Sequence, residues 1–347
     1  MSSSLISQQV EGAEYCNMGQ GVEFGRNARV VGKHVSIGSG TVFGDDVTIK
    51  ADVVQIGRKC KIEEDVVSSW HGGNSRLFLM GDCCYVGRDS RILVKEFSAG
   101  DYVVLHNHLL ANGDSELTIG NNAWVGQNGI LNANQALKIG NNVGIGAYSA
   151  VWTHGKFGSL LDGCLMHKDA PVTIEDDACL WRSVVSPGVT VGRRAVALPG
   201  AILTKDAPPE SCFGGVPAVD LSSKVKTYRT VSMEEKLRMM GEFVEEFLAK
   251  NYPGEFVRKR DGEYVVRPGE SETFRVLVRR KIGDDDIAEG ECALVVAEKD
   301  STSRSRPGVS VFDLSSKTYT KWFTDPEVKF MWFLNDSRAR FNPVEAR

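Results

Sequence analysis

The chain has 347 residues, of which 42% are hydrophobic and 25% charged, and its net charge is -4 with a pI near 5.9. These proportions are ordinary for a globular protein, and the length suggests one large domain or two. No basic excess indicates a nucleic-acid partner, and no apolar run approaches the ~20 residues that a membrane span requires.

The N-terminal residues MSSSLISQQVEGAEY lack the basic and apolar regions of a secretory signal. The eight cysteines form no C-x-x-C pair, which argues against a zinc knuckle or a redox motif. We therefore expect reduced thiols and a cytoplasmic protein.

From about Val22 to Lys205, an aliphatic side chain recurs every six residues. A period of six is neither the 3.6 of a helix nor the 2 of one alternating strand. It is typical of a short strand followed by a turn, in which Gly, Asn or Asp takes the position of positive φ. Three such hexads close a triangular coil, and stacked coils share one continuous core. The pattern predicts a mainly β fold, a left-handed parallel β-helix over residues 22–222. The clearest runs are Val31, Ile37, Phe43, Ile49; Ile119, Val125, Leu131; Ile139, Ile145, Val151; and Val185, Val191, Ala197, Leu203.

Two stretches leave the six-residue phase, residues 64–85 briefly and residues 153–173 for longer. Insertions into a solenoid form protruding loops, and such loops often build the binding face. We therefore expect functional residues in one or both of these excursions.

The remaining segments have different patterns. Residues 1–21 are predicted as an N-terminal segment and 223–254 as a linker with an amphipathic helix. That helix is capped by Ser232, with Glu235 three residues on. Residues 255–347 alternate like strands and predict a small α+β domain. Within it, VKFMWFLNDSRARF fits either a strand or a helix.

The second half of the repeat resembles the closing coils of hexapeptide-repeat acyltransferases, the group that includes galactoside, maltose, serine and xenobiotic acetyltransferases. The matching pieces are Pro171–Asp177, Pro187–Gly192, Gly200–Pro209 and Gly215–Ala218. The resemblance implies transfer of an acyl group, with acetyl-CoA as co-substrate, to a hydroxyl or amine of a sugar, nucleotide sugar or similar small polar acceptor. It also implies a homotrimer and no metal.

His154 lies in the longer excursion, where the family carries its catalytic histidine, and the resemblance implies a general base. A neutral imidazole is available near neutral pH. Its other ring nitrogen is expected to bond an orienting partner, for which Asp162, Asp169 and Glu116 are open alternatives. Backbone N–H groups of Gly146, Gly155 or Arg182 are candidates to stabilise the oxyanion. A loop histidine without catalytic function is the simpler alternative.

Coenzyme A binding is implied for the last coils. Ser183 and Ala201 match turn positions whose backbone meets the pantetheine arm, and Thr204 and Lys205 match the pair that faces the adenosine phosphates. Arg193 and Lys224 add positive charge nearby, which suits phosphate. Arg193 equally fits an ordinary polar turn.

Three further histidines, His106, His108 and His167, are candidates to line the acceptor site. His71 with His106 and His108 also raises the alternative of a metal-dependent hydratase of the γ-carbonic anhydrase type, which shares the β-helix. A third alternative is a non-catalytic β-helix scaffold. These readings differ in whether the protein binds acetyl-CoA, a metal or neither.

Overall fold

The computed structural model describes residues 9–269, 272–281, 283, 286–298 and 306–345. The chain divides into two compact units, Met1–Tyr228 and Arg229–Arg347. The predicted division into segments 1–21, 22–222, 223–254 and 255–347 remains a prediction about domains. Residues 1–8 of the first segment lie outside the described residues.

The first unit is the predicted left-handed parallel β-helix, whose coils have three faces in chain order. The first face contains β1 (Val10–Glu11), β4 (Arg29–Val31), β9 (Val67–Ser68), β16 (Ile130–Asn132), β19 (Ala150–Val151), β24 (Val184–Val185) and β27 (Ile202–Leu203). The second contains β2 (Tyr15–Met18), β5 (His34–Ile37), β10 (Ser75–Met80), β17 (Leu137–Ile139), β22 (Val172–Ile174) and β25 (Thr190–Val191). Three longer strands, β7 (Thr48–Ile56), β12 (Arg91–Ala99) and β14 (Leu110–Ile119), run across both faces.

The third face is a separate parallel sheet. It contains β3 (Glu23–Phe24), β6 (Val42–Phe43), β8 (Lys61–Ile62), β11 (Tyr85–Val86), β13 (Val104–Leu105), β15 (Trp124–Val125), β18 (Gly144–Ile145), β23 (Cys179–Leu180), β26 (Val196–Ala197) and β28 (Cys212–Gly214). The last of these pairs antiparallel with β29 (Val219–Asp220), which closes this end of the sheet.

The aliphatic residues of the repeats point into the coils, as predicted for all but one of the residues in the clearest runs, and residues at equivalent positions stack in columns. In one column on the first face, every residue is at most 1% exposed. This column comprises Val30, Ile49, Ser68, Ile92, Ala111, Leu131, Val151, Val185 and Leu203. One predicted member was wrong, because Val30 occupies the buried position and Val31 is half-buried. Parallel pairing also extends to Val10, so residues 10–21 are part of the β-helix.

Most turns follow the expectation that Gly, Asn or Asp takes the position of positive φ, and His108, Tyr148 and Arg182 depart from it. The corner between the third and first faces, here the third edge, carries Asn27, Asp46, Asp65, Asp89, His108, Asn128, Tyr148 and Arg182 in this conformation. At the second edge, between the second and third faces, side-chain oxygens accept backbone N–H groups from the preceding coil. This ladder comprises Asp82, Asp101, Asn121, Asn141 and Asp176, with N···O distances of 2.5–2.9 Å. It satisfies the turn's backbone donors without water.

The first edge, between the first and second faces, is where the chain leaves the repeat. Residues 69–74 form a short loop there, closed by mutual backbone hydrogen bonds between Trp70 and Gly73. On the same edge, nearer the C-terminal coils (the upper end of the β-helix), β20 (His154–Lys156) and β21 (His167–Asp169) form an antiparallel hairpin. Both predicted excursions therefore emerge from one edge of the prism.

The second unit holds the predicted helix, α1 (Met233–Asn251), with Ser232 as N-cap accepting the N–H of Glu235 at 3.1 Å. The VKFMWFLN segment is helical, within α2 (Asp325–Asn335). A mixed sheet contains β30 (Phe256–Arg258), β31 (Glu263–Val266), β32 (Phe274–Val278), β33 (Cys292–Ala297), β34 (Val309–Asp313), β35 (Thr318–Lys321) and β36 (Asn342–Glu345). Phe247 of α1 packs on Phe330 and Phe333 of α2 with ring centroids 4.9 and 5.5 Å apart.

All eight cysteines lie in the described part of the chain and are free thiols. Cys60, Cys83, Cys84 and Cys212 are buried. Burial raises the pKa of the Cys83 thiol to about 12, so it is protonated at neutral pH. None of the described helices has the length and apolarity to cross a bilayer.

Candidate functional site

His154 opens the hairpin on the first edge and is half-buried there. Its Nδ1 lies 2.8 Å from Oδ1 of Asn132, a fully buried side chain one coil below. The amide NH2 of Asn132 donates to the carbonyl of Asn112 at 3.2 Å, which sets the amide orientation. Because Asn132 Oδ1 is an acceptor, Nδ1 of His154 carries the proton in the neutral ring. Nε2 is then the basic nitrogen.

Asn132 is itself held rigidly. Its Oδ1 also accepts the hydroxyl of Thr153 at 2.8 Å, and that hydroxyl accepts the backbone N–H of Gln135 at 3.1 Å. Both Asn132 and Thr153 are fully buried. The imidazole is therefore positioned by a buried polar network, an arrangement that fixes orientation because every lost partner would leave a buried group unsatisfied.

The three carboxylates considered as orienting partners bond other groups. Asp169 lies directly across the hairpin from His154, but its carboxylate pairs with Lys156 at 3.0 Å. Glu116 pairs with Lys138 at 3.6 Å. Asp162 lies at the hairpin tip, where its N–H donates to Ser159. Sequence reasoning missed Asn132 because it sought a charged partner. The available signal was its spacing, since Asn132 precedes Trp152 by one coil.

Two of the residues matched to coenzyme A binding lie on the same edge as His154. Leu203 stacks on Val185, which stacks on Val151. The exposed Thr204 and Lys205 therefore follow the first face two rungs above His154, at about 10 Å for a strand spacing of ~4.8 Å. Lys168, on the returning hairpin strand, brings a second ammonium beside Gly188 on this edge. Sequence reasoning did not single out Lys168.

The other matched residues lie elsewhere. Ser183 and Ala201 are buried at the third edge, and their N–H groups donate to Ser149 Oγ and to the carbonyl of Leu198. Arg193 is at the second edge, where it pairs with Glu210 at 3.2 Å. Lys224 follows β29 and is exposed. Of the three oxyanion candidates, Gly155 alone is on the first edge, since Gly146 and Arg182 belong to the third.

The histidines considered for the acceptor are spread over the prism. His106 lies on the third face between Tyr85 and Trp124, with ring centroids 6.0 and 5.0 Å away, and burial there lowers its pKa. His108 is at the third edge, 3.6 Å from Asp89. His167 is in the hairpin, where its Nε2 lies 3.0 Å from the carbonyl of Gly158. The structure thus brings only His167 near His154.

The metal alternative required His71 with His106 or His108. His71 is on the first edge and bonds Asp114 at 2.7 Å, whereas His106 is on the third face. Among the described residues, no three His, Cys, Asp or Glu side chains of this chain are grouped to hold a metal ion. The geometry within one chain therefore gives no support to that alternative.

Similar solved structures include several β-helix acyltransferases. An Arabidopsis UDP-N-acetylglucosamine acyltransferase is 14% identical, with 70% of this chain and 90% of that chain covered and a TM-score of 0.43. PerB from Caulobacter crescentus, crystallised with CoA and GDP-perosamine, is 20% identical, with 46% and 56% covered and a TM-score of 0.30. A hexapeptide-repeat acetyltransferase from Vibrio cholerae, complexed with acetyl-CoA, is 20% identical, with 42% and 69% covered and a TM-score of 0.28.

No protein-family model matches the chain.

The tautomer of His154 can be measured directly. In protein labelled with 15N-histidine, the neutral His154 ring is expected to carry its proton on Nδ1, because Asn132 Oδ1 accepts it. Asn132→Ala should allow the Nε2-protonated form and destabilise the fold by about 1–3 kcal/mol, since Thr153 loses its buried partner. Long-range 1H–15N spectra measure the tautomer. Asn17→Ala, on exposed β2, is the matched control, and an Nε2-protonated ring in the unmodified protein would contradict the assignment.

Proposed function

We propose that the protein is an acetyl-CoA-dependent acyltransferase. The acceptor is a hydroxyl or amine of a sugar, nucleotide sugar or similar small polar molecule, and His154 is the general base. The observation that carries the proposal is the bond from Nδ1 of His154 to the buried Asn132, which leaves Nε2 as the proton acceptor. The resemblance of the closing coils to hexapeptide-repeat acyltransferases supplies the reaction class.

The chemistry needs few groups. Nε2 of His154 takes the acceptor's proton while the acceptor oxygen or nitrogen bonds to the thioester carbonyl carbon. The C–S bond then breaks, and the imidazolium returns the proton to the leaving thiolate. A neutral Asn132 suits this role because it fixes the tautomer without adding a charge. A backbone N–H such as that of Gly155 would stabilise the oxyanion.

Acetyl-CoA would lie along the upper first edge. Lys205 and Lys168 are exposed cations on this edge, and their ammonium groups fit the anionic phosphates of coenzyme A. Thr204 adds a hydroxyl. Arg193 is on a different edge, where it pairs with Glu210, and Lys224 follows β29. We propose that neither side chain contacts the phosphates on this edge.

A homotrimer remains part of the proposal. The hairpin tip exposes five large apolar side chains, 67–96% accessible, namely Phe157, Leu160, Leu161, Leu165 and Met166. Apolar clusters of this kind mark interaction surfaces. We propose that the tip packs on a second copy in a closed cyclic assembly and so encloses His154. The cytoplasmic location likewise stays a proposal, with the free cysteines in its favour.

Removing the base should abolish most turnover. His154→Ala is expected to lower kcat by about 10²–10⁴, with the Kd for acetyl-CoA unchanged, because the base contributes only to proton transfer. The measurement is thiol release from acetyl-CoA in the presence of a panel of sugars, nucleotide sugars and amines. His34→Ala, an exposed histidine on β5, is the control. Undiminished turnover in His154→Ala would exclude this role.

Lys205 on the upper first edge should contribute to the affinity for acetyl-CoA. Saturating acetyl-CoA at ~100 Kd is expected to stabilise the protein by about 2.7 kcal/mol. Lys205→Ala should weaken binding roughly 10–100-fold, as loss of a charged hydrogen bond costs about 1.5–3 kcal/mol. Arg193→Ala removes an equal charge from another edge and should change little. Isothermal titration calorimetry with acetyl-CoA measures the Kd of each variant. An equal loss of affinity in Lys205→Ala and Arg193→Ala would refute the placement of the phosphates beside Lys205.

The assembly state can be measured directly. Sedimentation equilibrium should give a mass three times 38.0 kDa. The double variant Leu161→Ser, Leu165→Ser should shift the mass towards the monomer, since both side chains are more than 90% exposed in the single chain and contribute nothing to its core. Circular dichroism checks that the fold is retained. A monomeric unmodified protein would rule out the trimer.

A further inference from the structure

A second side-chain cluster lies on the first edge, below His154. Its members are Trp70 and His71 in the loop of residues 69–74, and Asp114 in the middle of β14. Ala111 stacks on Leu131 and Leu131 on Val151, so Asp114 is two rungs below His154. At ~4.8 Å per rung, the two are about 10 Å apart along the axis. Lys205 lies a similar distance above His154, so His154 is between the two.

The loop reaches upward to meet Asp114. Ser68, where the loop begins, is two rungs below Ala111 in the same column. Nevertheless the indole Nε1 of Trp70 donates to Asp114 Oδ1 at 3.2 Å, and Nε2 of His71 lies 2.7 Å from the same oxygen. The rings of Trp70 and His71 are 4.7 Å apart. The excursion thus places an aromatic and an imidazole ring beside a carboxylate that belongs to a different coil.

The His71–Asp114 contact adds little to the stability of the fold. The side chains of His71 and Asp114 are 68% and 57% exposed, and exposed pairs of this kind contribute little to folding. β14 is already held by parallel pairing along both neighbouring coils. The ammonium of Lys95 lies 5.9 Å from the centre of the Trp70 ring, which adds another polar group to the cluster.

The combination matches the chemistry of a sugar ring. An indole packs against the apolar C–H groups of a pyranose, while a carboxylate accepts and an imidazole donates or accepts hydrogen bonds with its hydroxyls. A few convergent polar groups beside an aromatic surface are the usual means of fixing a ligand's orientation. A metal is disfavoured here, because one carboxylate oxygen already receives two N–H groups.

We propose that Trp70, His71 and Asp114 hold a sugar ring of the acceptor, distal to the group that is acylated at His154. The inference rests on the proposed function for the position of the reacting group. The separation of about 10 Å then specifies the acceptor class, a molecule longer than one pyranose ring, in which a sugar is linked to a further sugar or to a nucleotide. His106 and His108, on other faces, have no part in this site.

The test is binding of the full-length protein to an array of oligosaccharides and nucleotide sugars. The unmodified protein is expected to bind at least one oligosaccharide or nucleotide sugar of the array, and Asp114→Asn and Trp70→Ala should weaken that binding tenfold or more. Asp89→Asn is the matched control, because it disrupts a histidine–aspartate pair on the third edge. Trp70→Phe keeps a ring while removing the N–H donor, and should give an intermediate loss. Thermal unfolding confirms that each variant is folded.

Two outcomes would overturn the inference: no binding of the unmodified protein to any oligosaccharide or nucleotide sugar of the array, or equal binding by Asp114→Asn. The proposed function fails separately. His154→Ala should retain glycan binding while losing turnover. If His154→Ala retains both glycan binding and turnover, His154 is not the base. In that case the Asp114 and Trp70 variants alone test the sugar site.

Discussion

Parallel pairing between successive coils is the constraint on which the first unit depends. The strand residues of an inner coil have partners one rung above and one rung below, at a spacing of ~4.8 Å. Neither a coil's apolar face nor its strand edge is satisfied alone, so stacking is obligatory. As a result, residues that are one coil apart in the sequence lie one rung apart along the axis of the β-helix. Asn132, His154 and Lys205 are separated by long stretches of chain and yet share one edge.

The same constraint explains where irregular structure is tolerated. In the middle coils the second edge carries the carboxylate and amide ladder from Asp82 to Asp176, which bonds one turn to the next. The first edge carries no such ladder at the loop of residues 69–74 or at the hairpin. Insertions there do not interrupt the stacking of faces, because the inward columns remain in register on either side. Variation at this edge is compatible with the fold, and the chemically distinctive side chains are found there.

His154 illustrates how burial and exposure combine at one residue. Its Nδ1 is tied to a buried amide that the core holds rigid, while the hairpin carries the ring outwards. A buried neutral partner costs less desolvation than a buried carboxylate and still selects one tautomer. The proposed base therefore needs no charged neighbour. The sugar site proposed lower on this edge and the cations above it would place acceptor and co-substrate on opposite sides of the imidazole.

The sequence alone determined the β-helix, because a six-residue period of aliphatic side chains admits one way of burying them. It also located both excursions, the cap of α1 at Ser232 and the catalytic candidate His154. It did not determine which residues share an edge. Asn132 was overlooked, Arg193 was grouped with Lys205, and His106 with His167, since distance along the chain says little about the corner a residue occupies. Only the tertiary structure decided this, because insertions and one-residue changes in coil length alter the corner that a given residue reaches.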